Sequence, residues 1–404
     1  MDKIINNFKV NRLIYVLNFG ILFLSLRLAI PAYTNSSFLT QFAKEKYVGF
    51  IYVLVALLTL ASFFVLPSLI KKYGNNKVML SLIAANIISL IGLYFSNDPA
   101  VAVMLFVISQ TGGVLLSFTL DIALEKVSSD ASTGQTRGLF LTTSNIGWLI
   151  APLITMGVLS GNNYRPIYLL AAAILIPMFY LIWTNRKNFG FVSIPQPDFV
   201  LAAQKILKSK SLRNVFAANF LLQLFYTWMT IYSPILLHNY IGFSWNQILT
   251  ITLIILVPFV LIQYPLGRLA DKYWGEKELM VSGFVLMAIS TALLSFINAP
   301  IFILWAWVLF LTRVGAAVVE VMTEVHFFKQ TNEFDTDIIS MFRTISPFAL
   351  IIGPALASLL FYLSDANRHL ISSYLTFDVH NMFLVLAAIM LFGIFFSLRI
   401  KDSK

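Results

Sequence analysis

The chain has 404 residues, of which 59% are hydrophobic and only 11% are charged. A water-soluble domain of this makeup would expose far more apolar surface than water tolerates, so the composition excludes a soluble globular protein. The formal net charge is +10 and there is no cysteine, which excludes disulfides, thiol nucleophiles and thiolate metal sites.

Apolar runs of about 20 residues recur along the whole chain, the length that an α-helix needs to cross roughly 30 Å of hydrocarbon. The first run is too long for the apolar part of a signal peptide, so we expect it to be retained as a helix. The predicted membrane helices, numbered 1 to 12, cover residues 12–33, 47–70, 77–96, 100–124, 138–160, 165–184, 213–237, 246–268, 279–297, 300–326, 339–362 and 379–399.

The basic residues are unevenly distributed among the segments that connect these runs. With the N-terminus inside, the cytoplasmic segments hold 22 of the 28 lysines and arginines. This positive-inside bias predicts that both termini are cytoplasmic, and it explains the net charge without a nucleic-acid partner. We therefore expect an integral protein of the plasma (inner) membrane that binds no nucleic acid.

A long polar segment divides the predicted helices six and six. It gives the expected organisation of an N-terminal bundle at 1–184, a cytoplasmic linker at 185–211 and a C-terminal bundle at 212–404. Weak internal matches at shifts of 201 and 203 residues support two related halves, a common plan among transporters with the site at the interface of the repeats. The matched pairs are Arg12 with Arg213, Asn18 with Asn219, Gly74 with Gly275, Gln110 with Arg313, Gly112 with Gly315, and Asp121 with Glu324.

Two basic loops close apolar runs at matching places in the halves, at residues 67–77 and 267–277. The second reads GRLADKYWG from Gly267, and it resembles the Gly-x-Leu-Ala-Asp-Arg-x-Gly loop, motif A, of the major facilitator superfamily. The first is similar to a degenerate copy, in which Lys71 replaces the Asp and Pro67 replaces the leading Gly.

Residues 138–157 of predicted helix 5 resemble motif C of facilitator antiporters, because Gly138, Gly147 and Pro152 stand in register. Glycine and proline in such helices also serve bending and close packing. The register of motif B, where the family has an arginine implicated in proton coupling, is occupied here by Ser109.

The resemblance implies an all-α integral membrane fold with twelve transmembrane helices in two pseudo-symmetric six-helix bundles. It implies a secondary active transporter that moves a small organic solute by alternating access, and motif C favours proton-coupled efflux by an antiporter. Uptake or exchange of an organic anion is the alternative. A polytopic membrane enzyme or a sensor is disfavoured, since the four histidines form no cluster and the linker is short. We expect a monomer without a cofactor or a metal.

In the family, helices 1, 4, 7 and 10 line the central cavity, and on each of them polar residues recur along one helical face. One interpretation is a water-filled path. The other is interhelical hydrogen bonding, which such residues often provide in membranes. The substrate-binding candidates are Asn18, Gln110, Asn219, Gln223, Tyr226 and Arg313.

Two arginines lie near the expected membrane midplane, where an unpaired arginine costs on the order of 3 kcal/mol or more. Recognition of an anionic substrate explains Arg313, and so does a structural partner on a neighbouring helix. Glu320 lies two turns away, about 10 Å along the axis, so the two cannot pair directly within a straight helix. Arg27 lies about 180° around the helix from Asn18, which favours a structural or lipid-interface role.

The remaining candidates concern protons and gating. A buried carboxyl group is the usual proton carrier, because burial favours its neutral form. Ion pairing in a cytoplasmic gate is the alternative role for these groups, and His326 nearby is expected to be solvated. The proton-coupling candidates are Glu320, Asp121 and Glu324, and the gating candidates are Gly267, Asp271, Gly275, Arg137, Gly147 and Pro152.

Overall fold

The structure is a computed structural model that describes residues 2–127, 133–189, 199–262, 266, 275–330, 338, 341–342, 344–366 and 379–400. Nearly all of this part is helical. The helices are α1 Asp2–Ala32, α2 Asn35–Leu39, α3 Glu45–Tyr73, α4 Asn75–Phe95, α5 Pro99–Val127, α6 Thr133–Val158, α7 Arg165–Thr184, α8 Phe199–Lys208, α9 Lys210–Ile235, α10 Trp245–Leu261, α11 Glu276–Leu294, α12 Phe302–Gln330, α13 Ile345–Ala366 and α14 Val379–Leu398. A 3₁₀ turn covers Arg186–Asn188, and a π-helix at Leu236–Tyr240 continues α9.

Every predicted membrane span overlaps one of these helices, although parts of the predicted spans 246–268 and 339–362 lie outside the described residues, and α2 and α8 are the additional short helices. Within the described residues, ten helices are long and apolar enough to cross a membrane. Helix α6 is not among them, and the apolar part of α10, Trp245–Phe259, is shorter. The predicted all-α membrane fold is confirmed, and the count of twelve is consistent with the helices observed.

The chain forms two compact units. Unit 1 comprises Met1–Lys44 and Leu54–Gln196, and unit 2 comprises Glu45–Val53 and Pro197–Lys404. Helix α3 is therefore divided, since its first turns belong to unit 2. The predicted limits of the two bundles and the linker stay a prediction.

The same pattern of helix pairs occurs within each unit. In unit 1, α1 packs against α5, α6 and α7, while α4 packs against α5 and α7. In unit 2, α9 packs against α12, α13 and α14, while α11 packs against α12 and α14. The two sets correspond when α1, α4, α5, α6 and α7 are matched in order with α9, α11, α12, α13 and α14. This recurrence agrees with the internal repeat seen in the sequence.

Small residues allow these helices to approach closely, as is common between membrane helices. A Cβ atom added to Gly315 of α12 would lie 2.7 Å from the carbonyl oxygen of Gly283 on α11. A Cβ atom added to Gly147 of α6 would lie 2.8 Å from the Cβ atom of Ser25 on α1. In unit 2 the indole Nε1 of Trp228 donates a 2.6 Å hydrogen bond to the carbonyl of Gly353, which ties α9 to α13.

Within the first basic segment, residues 67–77, only Gly74 lies outside a helix, and it connects α3 to α4. Its φ of 89° lies in the region that favours glycine, and its N–H donates to the Ile70 carbonyl at 2.8 Å. Asn75, which follows, is buried and donates a hydrogen bond to the Thr119 carbonyl of α5 at 3.0 Å. The loop is thus attached to the body of unit 1 by its first helical residue.

The beginning of α3 is held within unit 2 by the π-helix. The Asn239 amide donates to Glu45 Oε1 at 2.7 Å, and the Tyr240 hydroxyl donates to Oε2 at 2.8 Å. One turn later, a Cβ atom on Gly49 would lie 2.6 Å from the hydroxyl oxygen of Tyr232. π-helical turns are frequently found at functional positions, and here the turn presents two donors to one carboxylate.

Candidate functional site

Arg313 of α12 is buried against two aromatic rings of α9. Its side chain is only 4% exposed, and its guanidinium carbon lies 5.4 Å from the ring centroid of Phe225 and 5.7 Å from that of Tyr226. Cation–π contacts stabilise a desolvated guanidinium through the faces of the rings and do not use its N–H groups. Within the described part of the chain, the guanidinium of Arg313 makes no hydrogen bond and no ion pair.

Tyr226 joins the cation to a carboxylate. Its ring lies beside the Arg313 guanidinium, and its hydroxyl donates a hydrogen bond to Glu320 Oε2 at 3.2 Å. The same ring also meets Phe259 of α10 edge-on, with centroids 6.0 Å apart. Arg313 and Glu320 are too far apart along α12 to pair directly, as the sequence predicted, yet one tyrosine contacts both. The cluster therefore places a buried positive group and a half-buried negative group against the same tyrosine.

The polar face predicted on α9 continues from this cluster. The side chain of Gln223 donates a weak hydrogen bond to Asn219 Oδ1 at 3.4 Å. The backbone carbonyl of Gln223 accepts a hydrogen bond from the Thr227 hydroxyl at 2.9 Å. Asn219 is buried and Gln223 is half-buried. The structure thus brings together four of the substrate-binding candidates in unit 2: Asn219, Gln223, Tyr226 and Arg313.

Unit 1 contains the second buried arginine. Arg27 of α1 is completely buried, so a lipid-interface position is wrong, and its Nη2 donates to both the carbonyl and the hydroxyl of Ser109 on α5. A Cβ atom on Gly113 would lie 2.6 Å from Nη1, so the guanidinium packs directly against the backbone of α5 at Gly113. Nε and Nη1 have no hydrogen-bond partner among the residues described. The side chain bridges α1 and α5, while Arg313 bridges the matching pair in unit 2.

The other unit 1 candidates differ in their surroundings. Asn18 is buried, donates to the Ile14 carbonyl at 2.8 Å and accepts from the Thr143 hydroxyl at 3.2 Å. Gln110 is half-buried beside Ser109, whereas the side chain of Asp121 is exposed. Asn18 is therefore engaged in hydrogen bonds of the α1–α6 seam, and Gln110 and Asp121 present more of their surface.

The motif-C-like segment lies in that seam. Gly147 and Pro152 are both buried in α6, and Thr155 donates to the Ile30 carbonyl of α1 at 2.9 Å. The hydroxyls of Ser25 and Ser144 lie 2.8 Å apart across the same pair of helices. These contacts show that this face of α6 is used for close packing onto α1.

Several gating candidates are only partly visible. Gly275 is buried and immediately precedes α11, while Gly267 and Asp271 lie outside the described residues. Arg137 belongs to α6, but its side chain is also outside the described set. The predicted solvation of His326 is wrong, because its side chain is fully buried at the end of α12. Glu324, one turn earlier, is half-buried.

Sequence reasoning missed two parts of these sites. Phe225 was not a candidate, because an aromatic residue on an apolar helix is usually a packing residue, and only its contact with Arg313 distinguishes it. The buried Glu276 was also missed, although its place directly after the motif-A-like loop was a usable signal. Among the described residues, no group of three or more His, Asp or Glu side chains is arranged to hold a metal ion.

Comparison with known proteins gives the family. A family model described as the Major Facilitator Superfamily matches residues 13–262 and 215–404, which together span almost the whole chain. The chain belongs to the Major Facilitator Superfamily. Family membership identifies it as an integral membrane protein and points to a transporter rather than an enzyme. No curated protein sequence matches it significantly.

Two solved major facilitator structures are similar to this one. A mutant of the nucleoside transporter NupG is 15% identical, and the match covers 96% of this chain and 100% of that chain with a TM-score of 0.72. A bacterial homologue of the human lysosomal transporter Spinster, in an inward-facing and unoccupied conformation, is 10% identical. That match covers 98% of this chain and 93% of the other, with a TM-score of 0.67. At these identities the likeness shows the fold.

Proposed function

We propose that this major facilitator protein is a secondary active transporter that moves a small organic solute by alternating access, with proton-coupled efflux as the favoured mode. The family supports transport, and the motif-C-like segment of α6 supports export. In this proposal the solute binds to the polar faces of the helices that carry the candidates, and alternating access exposes it to each side of the membrane in turn.

The observation that carries the proposal is the state of Arg313. A guanidinium that is 4% exposed and rests on two rings, without a hydrogen bond or an ion pair in the described part of the chain, keeps its N–H groups for a ligand. An anionic or strongly accepting group of the solute satisfies them with charge-assisted hydrogen bonds. A purely structural arginine at this depth is expected to face a carboxylate or carbonyl oxygen instead.

Glu320 is the proposed proton carrier in the cluster that it forms with Tyr226 and Arg313. It is half-buried, it accepts from Tyr226, and Tyr226 in turn touches Arg313. Protonation of Glu320 weakens its oxygens as hydrogen-bond acceptors for the Tyr226 hydroxyl. A resulting shift of the tyrosine ring moves the guanidinium of Arg313 that rests on it. Solute binding at Arg313 and proton binding at Glu320 are thereby linked through a single side chain.

The other assignments complete the proposal. Asn18, Gln110, Asn219 and Gln223 contribute hydrogen bonds to the solute, Asp121 and Glu324 assist proton coupling, and Gly267, Asp271, Gly275, Arg137, Gly147 and Pro152 serve gating. The protein is a monomer in the inner membrane with both termini in the cytoplasm, as the distribution of lysine and arginine predicts.

Uptake or exchange of an organic anion is the second candidate function. The buried, available Arg313 supports it as strongly as it supports efflux, because a guanidinium recognises an anion whichever way the solute moves. Direction and coupling separate the two candidates. A nucleoside, the solute in the name of one similar structure, belongs in the same screen as a neutral comparison.

A two-stage experiment tests the function. Thermal stabilisation of the purified protein is screened first against organic anions, organic cations and neutral solutes including nucleosides. Solutes that raise the melting temperature are then tested for flux in reconstituted vesicles, with and without a pH gradient. Gradient-dependent flux supports proton coupling, and counterflow without a gradient supports exchange. Absence of flux for every stabilising solute contradicts the transport proposal.

A further inference from the structure

A buried polar cluster lies at one end of unit 2, where the first turns of α9 and α11 meet the last turns of α12. The Nε2 atom of His326 lies 2.7 Å from the hydroxyl oxygen of Ser211, and its Nδ1 atom lies 3.6 Å from Glu276 Oε2. The other oxygen of Glu276 accepts a 2.7 Å hydrogen bond from Lys329 Nζ. The imidazole is fully buried and the Glu276 side chain is 4% exposed, whereas the Lys329 side chain is 37% exposed.

Aromatic side chains pack together on the same stretches of α9 and α12. Phe327, next to the histidine, stacks on Phe342 with ring centroids 4.0 Å apart and an interplanar angle of 9°. Phe216 of α9 packs edge-on against both, at 5.9 Å and 5.3 Å. Because His326 and Glu276 are almost completely buried, they are poorly served by water, and their interactions with each other count for more.

The acceptors around the ring suit its protonated form. A neutral imidazole has one N–H donor and one acceptor nitrogen, whichever tautomer is present, whereas the imidazolium has two donors. Here one nitrogen faces a carboxylate oxygen and the other faces a hydroxyl oxygen, and both oxygens accept hydrogen bonds. An added proton therefore finds both ring nitrogens already opposite an acceptor.

Lys329 is the competitor for the same carboxylate. While the imidazole is neutral, Lys329 and Glu276 balance each other's charge. Once the imidazole is charged, it competes with Lys329 for Glu276, and Lys329 is nearer to solvent because more than a third of its side chain is exposed. The expected response is that Glu276 turns from Lys329 to His326 as the ring gains its proton.

Charged groups near the ring lie on two of the three helices. Glu276 belongs to α11 and Lys329 to α12, while α9 contributes the neutral Ser211. The segment 267–274, which directly precedes Gly275, lies outside the described residues and also carries charges. The three helices also carry Lys210, Arg213, Lys277, Glu278, Glu320 and Glu324, all half-buried or exposed, and the buried Arg313 lies farther along α12.

We propose that His326 is a proton-binding residue of this transporter. It takes up a proton as a neutral imidazole, the resulting imidazolium donates hydrogen bonds to Glu276 and Ser211, and Lys329 leaves Glu276 and turns to solvent. Because the three partners lie on α9, α11 and α12, proton binding tightens the contact of these helices at this end of unit 2. The proton site stands by itself, and its effect on transport rests on the proposed function.

The proton site is tested on the purified full-length protein without any solute. The chain has four histidines, so the variant His238→Gln/His369→Gln/His380→Gln keeps His326 as the single one, and ¹⁵N-histidine NMR then reports one ring. The ring is expected to pass from the neutral to the protonated form within the pH range over which the protein stays folded. A ring that stays neutral throughout that range overturns the proposal.

Two substitutions with opposite expected effects identify the cause. In that single-histidine background, Glu276→Gln replaces the negative carboxylate with a neutral amide and moves the titration midpoint of His326 to lower pH. Lys329→Met removes the competing cation and moves it to higher pH. Shifts in the same direction, or no shift in either variant, contradict the exchange of partners. All three proteins retain His326, so a folding defect of a His326 variant does not affect this test.

Transport gives the second readout. In vesicles, flux of a solute found in the stabilisation screen is measured against the pH on the side where Lys329 lies, for the wild type and for His326→Gln. The variant is expected to keep solute flux and lose its response to that pH, while His238→Gln retains the response. An unchanged response in His326→Gln overturns the role in transport. Absence of flux in the wild type contradicts the proposed function alone, because the NMR result stands independently.

Discussion

Arg27 donates two hydrogen bonds of 2.6 Å to one residue, Ser109, through a single nitrogen of its guanidinium. The side chain comes from α1 and Ser109 from α5, where the motif-B register of the family has an arginine. A positive group therefore lies at the Ser109 position, but a different helix supplies it. Arg313 makes the matching bridge in unit 2, from α12 to α9, with aromatic rings in place of a serine.

The pair Arg27–Ser109 leads to a prediction about stability and activity together. Ser109→Ala removes a hydroxyl acceptor but leaves the buried charge. It should therefore lower the free energy of unfolding by about 1–3 kcal/mol, and with it the melting temperature. Arg27→Met combined with Ser109→Ala removes the charge as well and should be less destabilising than Ser109→Ala alone, since replacing buried ionic groups with apolar ones is often neutral.

Thermal unfolding of the purified variants checks this order, and vesicle flux shows whether Arg27 is needed for transport. If the double variant keeps full flux, Arg27 has a structural role only. If the double variant is less stable than Ser109→Ala, the cost assigned to the buried charge is wrong.

Arg313→Gln tests the class of solute. Loss of a charge-assisted hydrogen bond worth about 1.5–3 kcal/mol should weaken binding of an anionic solute roughly tenfold to hundredfold. Arg313→Lys should recover only part of the affinity, because an ammonium group cannot reproduce a bidentate guanidinium. Binding is measured by ligand-induced thermal stabilisation or calorimetry. Normal binding of the transported solute by Arg313→Gln would assign the arginine a structural role.

Glu320→Gln tests proton coupling at the Tyr226 bridge. The amide is close in shape to the protonated carboxyl but cannot release a proton, so pH-driven flux should be lost while solute binding is retained. Tyr226→Phe is the companion variant: it removes the 3.2 Å hydrogen bond to Glu320 and keeps the ring beside Arg313. We expect it to weaken the pH dependence of flux. Equal pH dependence in Glu320→Gln and the wild type would remove Glu320 from the coupling scheme.

Two glycines of α6 form a matched pair for testing the seam between α1 and α6. A methyl group at Gly147 would lie 2.8 Å from Ser25 Cβ and 3.4 Å from backbone atoms of α1, whereas one at Gly157 would have no atom within 4 Å. Gly147→Ala should therefore cost about 1–3 kcal/mol through overpacking. Gly157→Ala should be neutral or slightly stabilising. Similar melting temperatures for the two variants would contradict the close contact at Gly147.

Orientation in the membrane is tested by labelling, and the absence of cysteine makes the wild type a clean background. Lys404→Cys should react with a membrane-impermeant thiol reagent only after the cells are opened. Ser160→Cys, in the exposed segment between α6 and α7, should react from outside in intact cells. The reverse pattern would invert the predicted topology and place the His326 cluster on the outer side.

The fold was predictable from the sequence because a bilayer imposes simple conditions on a chain. Each segment must satisfy its own backbone hydrogen bonds and present about 20 apolar residues, so helices and their approximate limits are visible as runs. The loop at 67–77 was visible as a repeat of the one at 267–277, since turns between membrane helices concentrate glycine and basic residues. Helical periodicity likewise placed Asn219, Gln223 and Tyr226 on one face.

The tertiary structure decided which side chains meet across helices, because these contacts join residues that are far apart in the sequence. Periodicity put Arg27 on the wrong face of its helix for a cavity, but only packing shows that its guanidinium reaches Ser109, 82 positions later. It also shows that His326 is buried between Ser211 and Glu276, where position alone suggested solvation. Hydropathy describes each helix against lipid, whereas the protonation and binding chemistry depends on the rotation and depth at which neighbouring helices pack.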